Sequence, residues 1–175
     1  MSDTGARTAD QWYQQAAEDF SAALARLARA YEADPDRSRD LLQEIHVALW
    51  RSFARFDGRC SLRTWVYRIA HNTAVSQTIR RRSGAPVLVS LEELAQVAEP
   101  RDREREVDES RALVRLVELI QTLTPIDRQV IVLYLEGETA AAIAEVTGLS
   151  PGNVATKTHR IKQMLVSRFH QGTHS

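Results

Sequence analysis

The side chains best suited to recognition chemistry are hydrogen-bond donors and cations set at helical spacing near the C-terminal end. In Glu138 to Arg168, ETAAAIAEVTGLSPGNVATKTHRIKQMLVSR, an Ala-rich stretch holding Ile143 and Val146 stops at Gly148, and Ser150-Pro151 opens the next. With Val154 at zero on a wheel of 100° steps, Ile161 and Leu165 fall within about 20° of it, so that side is the buried one. Thr156, His159, Arg160 and Gln163 then lie opposite, with Asn153 and Lys157 at the margins. Such a face can donate to base edges and phosphates in a major groove. Gly148 can take the left-handed conformation at a helix end, Leu149 fills the gap, and Ser150-Pro151 caps and starts the following helix. Small residues Ala140, Ala141, Ala142 and Ala144 let two helices approach closely at a steep angle, as a helix-turn-helix requires.

Two further constellations lie in the first half. Around Leu41 and Ile45, which face inward, Val47 and Trp50 project to the other side among Asp40, Gln43, Glu44 and Arg51. Large apolar groups on a polar face point to a protein partner. Farther on, Trp65 and Ile69 mark an inward stripe with Arg68 and Asn72 at its edge, while Arg63, Tyr67 and His71 are expected on the exposed side. Aromatic and basic residues interleaved near a loop can stack and hold an unstacked base. Catalysis has little to build on. The five histidines, His46, His71, His159, His170 and His174, lack metal-ligand spacing, Cys60 lacks an evident base, and no Gly-rich phosphate loop occurs. Neither a metal nor another cofactor is expected, nor a small-molecule substrate.

The elements that must hold these residues are helical nearly throughout, because apolar residues recur at three- and four-residue steps. Trp12, Ala16, Phe20, Ala23, Leu24, Leu27 and Tyr31 line a first helix ended by Asp34-Pro35-Asp36. A second is expected from about Ser38, its stripe Leu41, Leu42, Ile45, Ala48, Leu49 and Phe53, stopped at Asp57-Gly58. A third is expected from Leu62 to Arg82, with Leu62, Trp65, Val66 and Ile69 facing in. From Ser83 to about Ser110 the composition turns to a Ser-Gly-Ala-Pro run, Glu99-Pro100 and mixed charge, which reads as a linker, with one short helix possible where Ser90 and Glu93 form a capping-box pattern. Periodicity resumes at about Arg111 with Leu113, Leu116, Val117, Ile120 and Leu123 on one face. Thr124-Pro125-Ile126-Asp127 is a helix start with Thr124 as N-cap, Pro125 at the first helical position and Asp127 favourable at the positive end of the dipole, and that helix ends at Gly137. The expectation is an all-α chain of two small helical domains, 1–83 and 111–170, joined by a flexible linker, 84–110.

At 175 residues the chain can bury a core without staples. Its 23 Lys plus Arg balance 23 Asp plus Glu, yet the charge is unevenly placed. From Gly58 to Leu91 there is no acid, but Arg59, Arg63, Arg68, Arg80, Arg81 and Arg82 occur, and after Glu145 come Lys157, Arg160, Lys162 and Arg168 with none. Two acid-free basic tracts favour phosphate contact over a merely solvated surface. A single cysteine, no signal-peptide layout and no apolar run near the roughly 20 residues of a membrane span lead to an intracellular, cytoplasmic expectation without membrane insertion.

The order DLLQEIHVALW, FDGRCSLRTWVYRIAHNTA, an RRR run, a linker and LTPIDRQVIVLYLEGETAAAIAEVTGLSPGNVATKTHRIKQML resembles bacterial sigma factors of the extracytoplasmic-function group. The resemblance spans two modules in order and implies two promoter-reading domains, regions two and four, carried on RNA polymerase core enzyme, with an anti-sigma factor as a further partner. It implies that Asp40 to Trp50, and within it Asp40, Gln43, Glu44, Val47 and Trp50, dock on the polymerase clamp helices. It further implies that Phe56, Arg63, Trp65, Arg68 and Asn72 read and melt the minus-10 element, Asn72 at a flipped base, and that Thr156, Lys157, His159 and Arg160 read the minus-35 element, flanked by Asn153 and Gln163 on the same helix. The chain departs from the family pattern at Ala155, where Lys or Arg is frequent, at Ala141 and Ala142, where an acidic pair is usual, and at Ser76-Gln77, where Asp is common.

A linker of about 27 residues at up to roughly 3.4 Å each bridges some 90 Å, more than two duplex turns of about 34 Å, so both modules can reach separate boxes on one DNA face. With about three or four phosphates per module, log affinity would fall with log salt at roughly −5 to −7, and core polymerase would be needed for firm promoter binding. Three alternatives stand beside this: a sigma-like decoy that binds an anti-sigma factor without touching DNA, a conventional helix-turn-helix regulator using only Glu138 to Arg168, and an enzyme. The decoy needs no polar reading face, and the dimeric regulator lacks a heptad seam.

Overall fold

The computed structural model describes residues 7–84 and 104–171, and among these the chain is all helix and turn. Seven helices follow in order: α1 Ala9–Tyr31, α2 Pro35–Ser52, α3 Leu62–Gly84, α4 Glu104–Gln121, α5 Pro125–Leu135, α6 Ala140–Thr147 and α7 Pro151–Gln171. A single 3-10 turn, Phe53–Arg55, follows α2. The capping-box pattern at Ser90 and Glu93 lies outside the described residues.

Each start has a local cause. Thr8 accepts from the Gln11 N–H while the Gln11 side chain accepts from the Thr8 N–H, satisfying two of the free donors at the head of α1. Asp34 accepts from the Arg37 N–H with Pro35 at the first helical position, so α2 begins three residues ahead of the expected Ser38. The residues that end α1 also cap its successor. The α4 backbone is helical from Glu104, inside the stretch expected to be linker up to Ser110.

α1, α2 and α3 form the first bundle around Phe20, Leu24, Leu27, Leu41, Ile45, Leu49 and Val66. α4 to α7 form the second around Ile120, Val130, Ile131, Leu133, Ile143, Val154 and Ile161. Two expected faces are corrected. Tyr67 and His71 are buried, because α1 packs on that side of α3: Tyr67 meets Phe20 edge-on at 5.8 Å, and His71 meets Tyr31 at 5.8 Å. Leu113, expected on the inward stripe of α4, is 63% exposed along with its neighbour Val114.

The bundles also touch each other. Arg26 on α1 makes a forked pair with Glu136, both N···O distances 2.7 Å, and the Gln121 amide donates to the Arg29 carbonyl at 3.0 Å. Arg128, buried on α5, donates to the Gln121 and Leu123 carbonyls and lies over the Tyr31 ring at 5.0 Å.

Candidate nucleic-acid and polymerase interfaces

The outer side of α2 carries the expected docking residues. Leu41, Ile45 and Leu49 turn fully inward, which leaves Val47 45% and Trp50 53% exposed. Neither is covered by the second bundle. The Trp50 indole N–H donates to Asp10 on α1 at 3.0 Å, so the ring is held in place while its face stays open. Asp40, Gln43, Glu44 and Val47 line an open groove of about 910 Å³ between α2 and α3 that also holds Asn72 and Arg80. Docking and base-reading candidates thus share one trough.

The expected minus-10 residues, Phe56 in the loop ahead of α3 and the others on α3 itself, divide into three situations. Phe56 and Trp65 are half-buried in an aromatic cluster, with Phe56 5.1 Å from Trp12, 5.9 Å from Phe53 and 5.2 Å from Trp65. The Trp65 indole N–H donates to the Ser52 hydroxyl at 2.9 Å, and Ser52 donates to the Leu49 carbonyl, so the end of α2 fixes that ring. Asn72 is exposed in the groove. Arg63 and Arg68 face the second bundle: Arg63 pairs with Glu138 at 2.8 Å, and Arg68 donates to the Glu145 carbonyl at 2.7 Å. The Thr64 hydroxyl donates to the Glu145 carboxylate at 3.1 Å. Nothing in the helical spacing of α3 announces these partners, which lie 75 to 81 positions away.

The C-terminal pair α6–α7 matches its expected geometry closely. Thr139 caps α6 by accepting from the Ala142 N–H, Gly148 ends it with φ +77°, and Ser150 accepts from the Asn153 N–H at 3.2 Å to start α7. Val154, Ile161 and Leu165 are buried, joined by Thr158. Asn153, Thr156, His159, Arg160 and Gln163 are all exposed. Lys157 is the exception, half-buried at the edge of that face, its ammonium donating to the Asp127 carboxylate at 2.7 Å. Arg160 reaches the other oxygen of Asp127 at 3.7 Å. Burial acts to raise the Asp127 carboxyl, but the hydrogen bonds from Lys157 and Thr124 and the two cations together hold it below its ordinary value.

Among the described residues no helix is long and apolar enough to cross a membrane. The family described as Sigma-70 region 2 matches residues 16–84, and that described as Sigma-70, region 4 matches residues 113–165. The ECF RNA polymerase sigma-E factor of Haemophilus influenzae is 30% identical, the alignment covering 74% of this chain and 73% of that protein. The ECF RNA polymerase sigma factor SigX of Bacillus subtilis is 28% identical over 73% of this chain and 68% of its own. Among solved structures, the Bartonella quintana sigma factor RpoE, in complex with the anti-sigma factor NepR, superposes with a TM-score of 0.69 at 20% identity, covering 91% of this chain and 96% of that one. CnrH in complex with the cytosolic domain of CnrY gives 0.65 at 22%, covering 93% and 95%. At those identities the two structures speak for the fold.

Proposed function

This chain belongs to the extracytoplasmic-function group of sigma-70 family RNA polymerase sigma factors, and from that premise we propose which of its surfaces does each part of the work. The outer face of α2, with Asp40, Gln43, Glu44, Val47 and Trp50, docks on core enzyme. Phe56, Arg63, Trp65, Arg68 and Asn72 engage the minus-10 element, and Asn153, Thr156, Lys157, His159, Arg160 and Gln163 on α7 read the minus-35 element. The domains are 1–83 and 111–170 about the linker 84–110, with α4 reaching back to Glu104.

No bond is made or broken by the chain in this scheme. Taking a base out of the stack costs a few kcal/mol, which an aromatic platform and an amide on the base edge offset. Phe56 and Trp65 supply the platform, rigid before DNA arrives, and exposed Asn72 supplies the amide. Core enzyme contributes the remaining affinity, since the two basic tracts supply only a few phosphate contacts each. An anti-sigma factor is the natural regulator, given that one solved structure of this fold, the Bartonella quintana RpoE, is held by one. The chain acts in the cytoplasm, where core enzyme and promoter are.

The observation that carries this reading is the split on α7: one side sealed around Val154, Ile161 and Leu165, the other open with five polar side chains of the groove-reading kind. Run-off transcription with purified core enzyme tests it. Trp50→Ala should lose core binding, Asn72→Ala should bind core but fail to open DNA, and Arg160→Ala should lose its dependence on the upstream box. Transcription unchanged by all three would refute the assignment, and tight anti-sigma binding with no transcription would mark a decoy.

A further inference from the structure

Asp127 stands at the third residue of α5, where a carboxylate needs no purpose beyond the helix dipole. Its side chain points across to α7. The carboxylate holds the Lys157 ammonium at 2.7 Å and lies 3.7 Å from the Arg160 guanidinium, so one acid spans two of the cations on the reading face. It is itself largely enclosed, its side chain 15% exposed, and Lys157 is 24% exposed where Arg160 is 67%. The geometry therefore separates the cations into one that is fixed and neutralised and one that is held loosely and stays open to solvent.

We infer that Asp127 is a positioning residue for minus-35 recognition: it restrains Lys157 and steadies Arg160, lowering the face's indiscriminate attraction for phosphate so that base contacts decide where α7 settles. The inference rests on the assignment of α7 as the reading helix. The physics follows from how each kind of contact scales. Non-specific affinity is almost entirely electrostatic and grows with every mobile cation that can find a phosphate, whereas base readout depends on a donor being aimed. A carboxylate beside the face also repels any backbone path that brings a phosphate against it, which penalises wrong registers. A lysine freed from Asp127 would behave as one more flexible point charge.

The test uses holoenzyme assembled from the full chain, binding duplexes whose upstream block is either selected by the wild type from random sequence or scrambled. For Asp127→Asn, which keeps the side chain's shape and leaves the Thr124 cap on its backbone N–H, the plot of log affinity against log salt should steepen by about one unit on scrambled duplex, and the preference for the selected block should fall at least about threefold. In a Lys157→Ala background the same substitution should change the slope by much less, because the cation it releases is gone. Unaltered slope and preference in Asp127→Asn, with Lys157→Ala and Arg160→Ala still weakening upstream recognition, would overturn the role of Asp127 alone. No effect from Lys157→Ala or Arg160→Ala would overturn the α7 assignment, and this inference with it. Damage to the fold would weaken binding on both duplexes and flatten the slope, a change of opposite sign that also counts against the proposal.

Discussion

His71 shows how a single side chain ties stability to pH. Fully buried, with Nδ1 3.0 Å from the Tyr31 hydroxyl and Nε2 lacking a hydrogen-bond partner, it has its imidazolium pushed by burial from 6.5 down to about 3. The folded chain keeps this ring neutral where the unfolded chain takes up a proton, so the unfolded state binds more protons below 6.5. Stability is therefore whole above that pH and declines as pH falls toward 3, by at most about 1.4 kcal/mol per unit. Thermal melts from about pH 7 down to about 4.5 should show that slope in the wild type and a shallower one in His71→Leu. At neutral pH the variant should be less stable by about 1–3 kcal/mol, because the Tyr31 hydroxyl loses its partner. The sequence placed His71 and Tyr67 on the wrong side for an identifiable reason. Periodicity finds the apolar stripe of Trp65 and Ile69, but α3 is gripped on two sides, and the second is lined by residues with polar tips that bury only because α1 supplies partners. Trp50, by contrast, was legible, since a tryptophan opposite Leu41 and Ile45 has nowhere inside the bundle to go.

Helix boundaries are legible at three of the cap signals in the second bundle. Thr124-Pro125 and Ser150-Pro151 start α5 and α7 as read, and Gly148 closes α6. α2 starts ahead of the expected Ser38 because Asp34-Pro35, which ends α1, also caps and begins the next helix. α4 begins ahead of the expected Arg111 because a run of mixed charge is compatible with a helix as well as with a linker. The two glycines of the α6–α7 corner make opposite predictions. Gly148 has φ +77°, where a Cβ is strained, so Gly148→Ala should cost about 1–2 kcal/mol although nothing lies within 4 Å of the added atom. Gly152 sits in the first turn of α7 with equally open surroundings and ordinary φ, so Gly152→Ala should gain about 0.4–1 kcal/mol. Denaturant midpoints of the two variants at constant m-value check both signs together.

Across the whole molecule, the packing of one bundle against the other was the least legible feature. The sequence presented two modules on a strap; the structure has Arg26, Arg63 and Arg68 of the first meeting Glu136, Glu138 and Glu145 of the second. Pairs so far apart in sequence leave no periodic trace. The arginines of the first two pairs are more than half exposed, so each pair is worth at most about 1 kcal/mol and is screened by salt. A chain carrying Glu136→Gln and Glu138→Gln should accordingly have a larger radius of gyration by X-ray scattering than the wild type at low salt, and the difference should shrink as salt rises toward about 1 M, where the screening length falls to roughly 3 Å. Equal radii throughout would mean that the remaining contacts, among them Thr64 with Glu145 and Arg128 with Tyr31, hold the bundles without these two pairs. Tyr31 offers an optical view of the same event. Its hydroxyl belongs to the first bundle through His71, its ring face lies under Arg128 of the second, and burial raises its phenol above the ordinary 10. Parting the bundles wets one side of that ring, which lowers the phenol, and withdraws the Arg128 cation, which raises it; burial is the larger cause, so alkaline ultraviolet titration should show the lagging phenolate appear earlier, an intrinsic gauge of separation that needs no added dye.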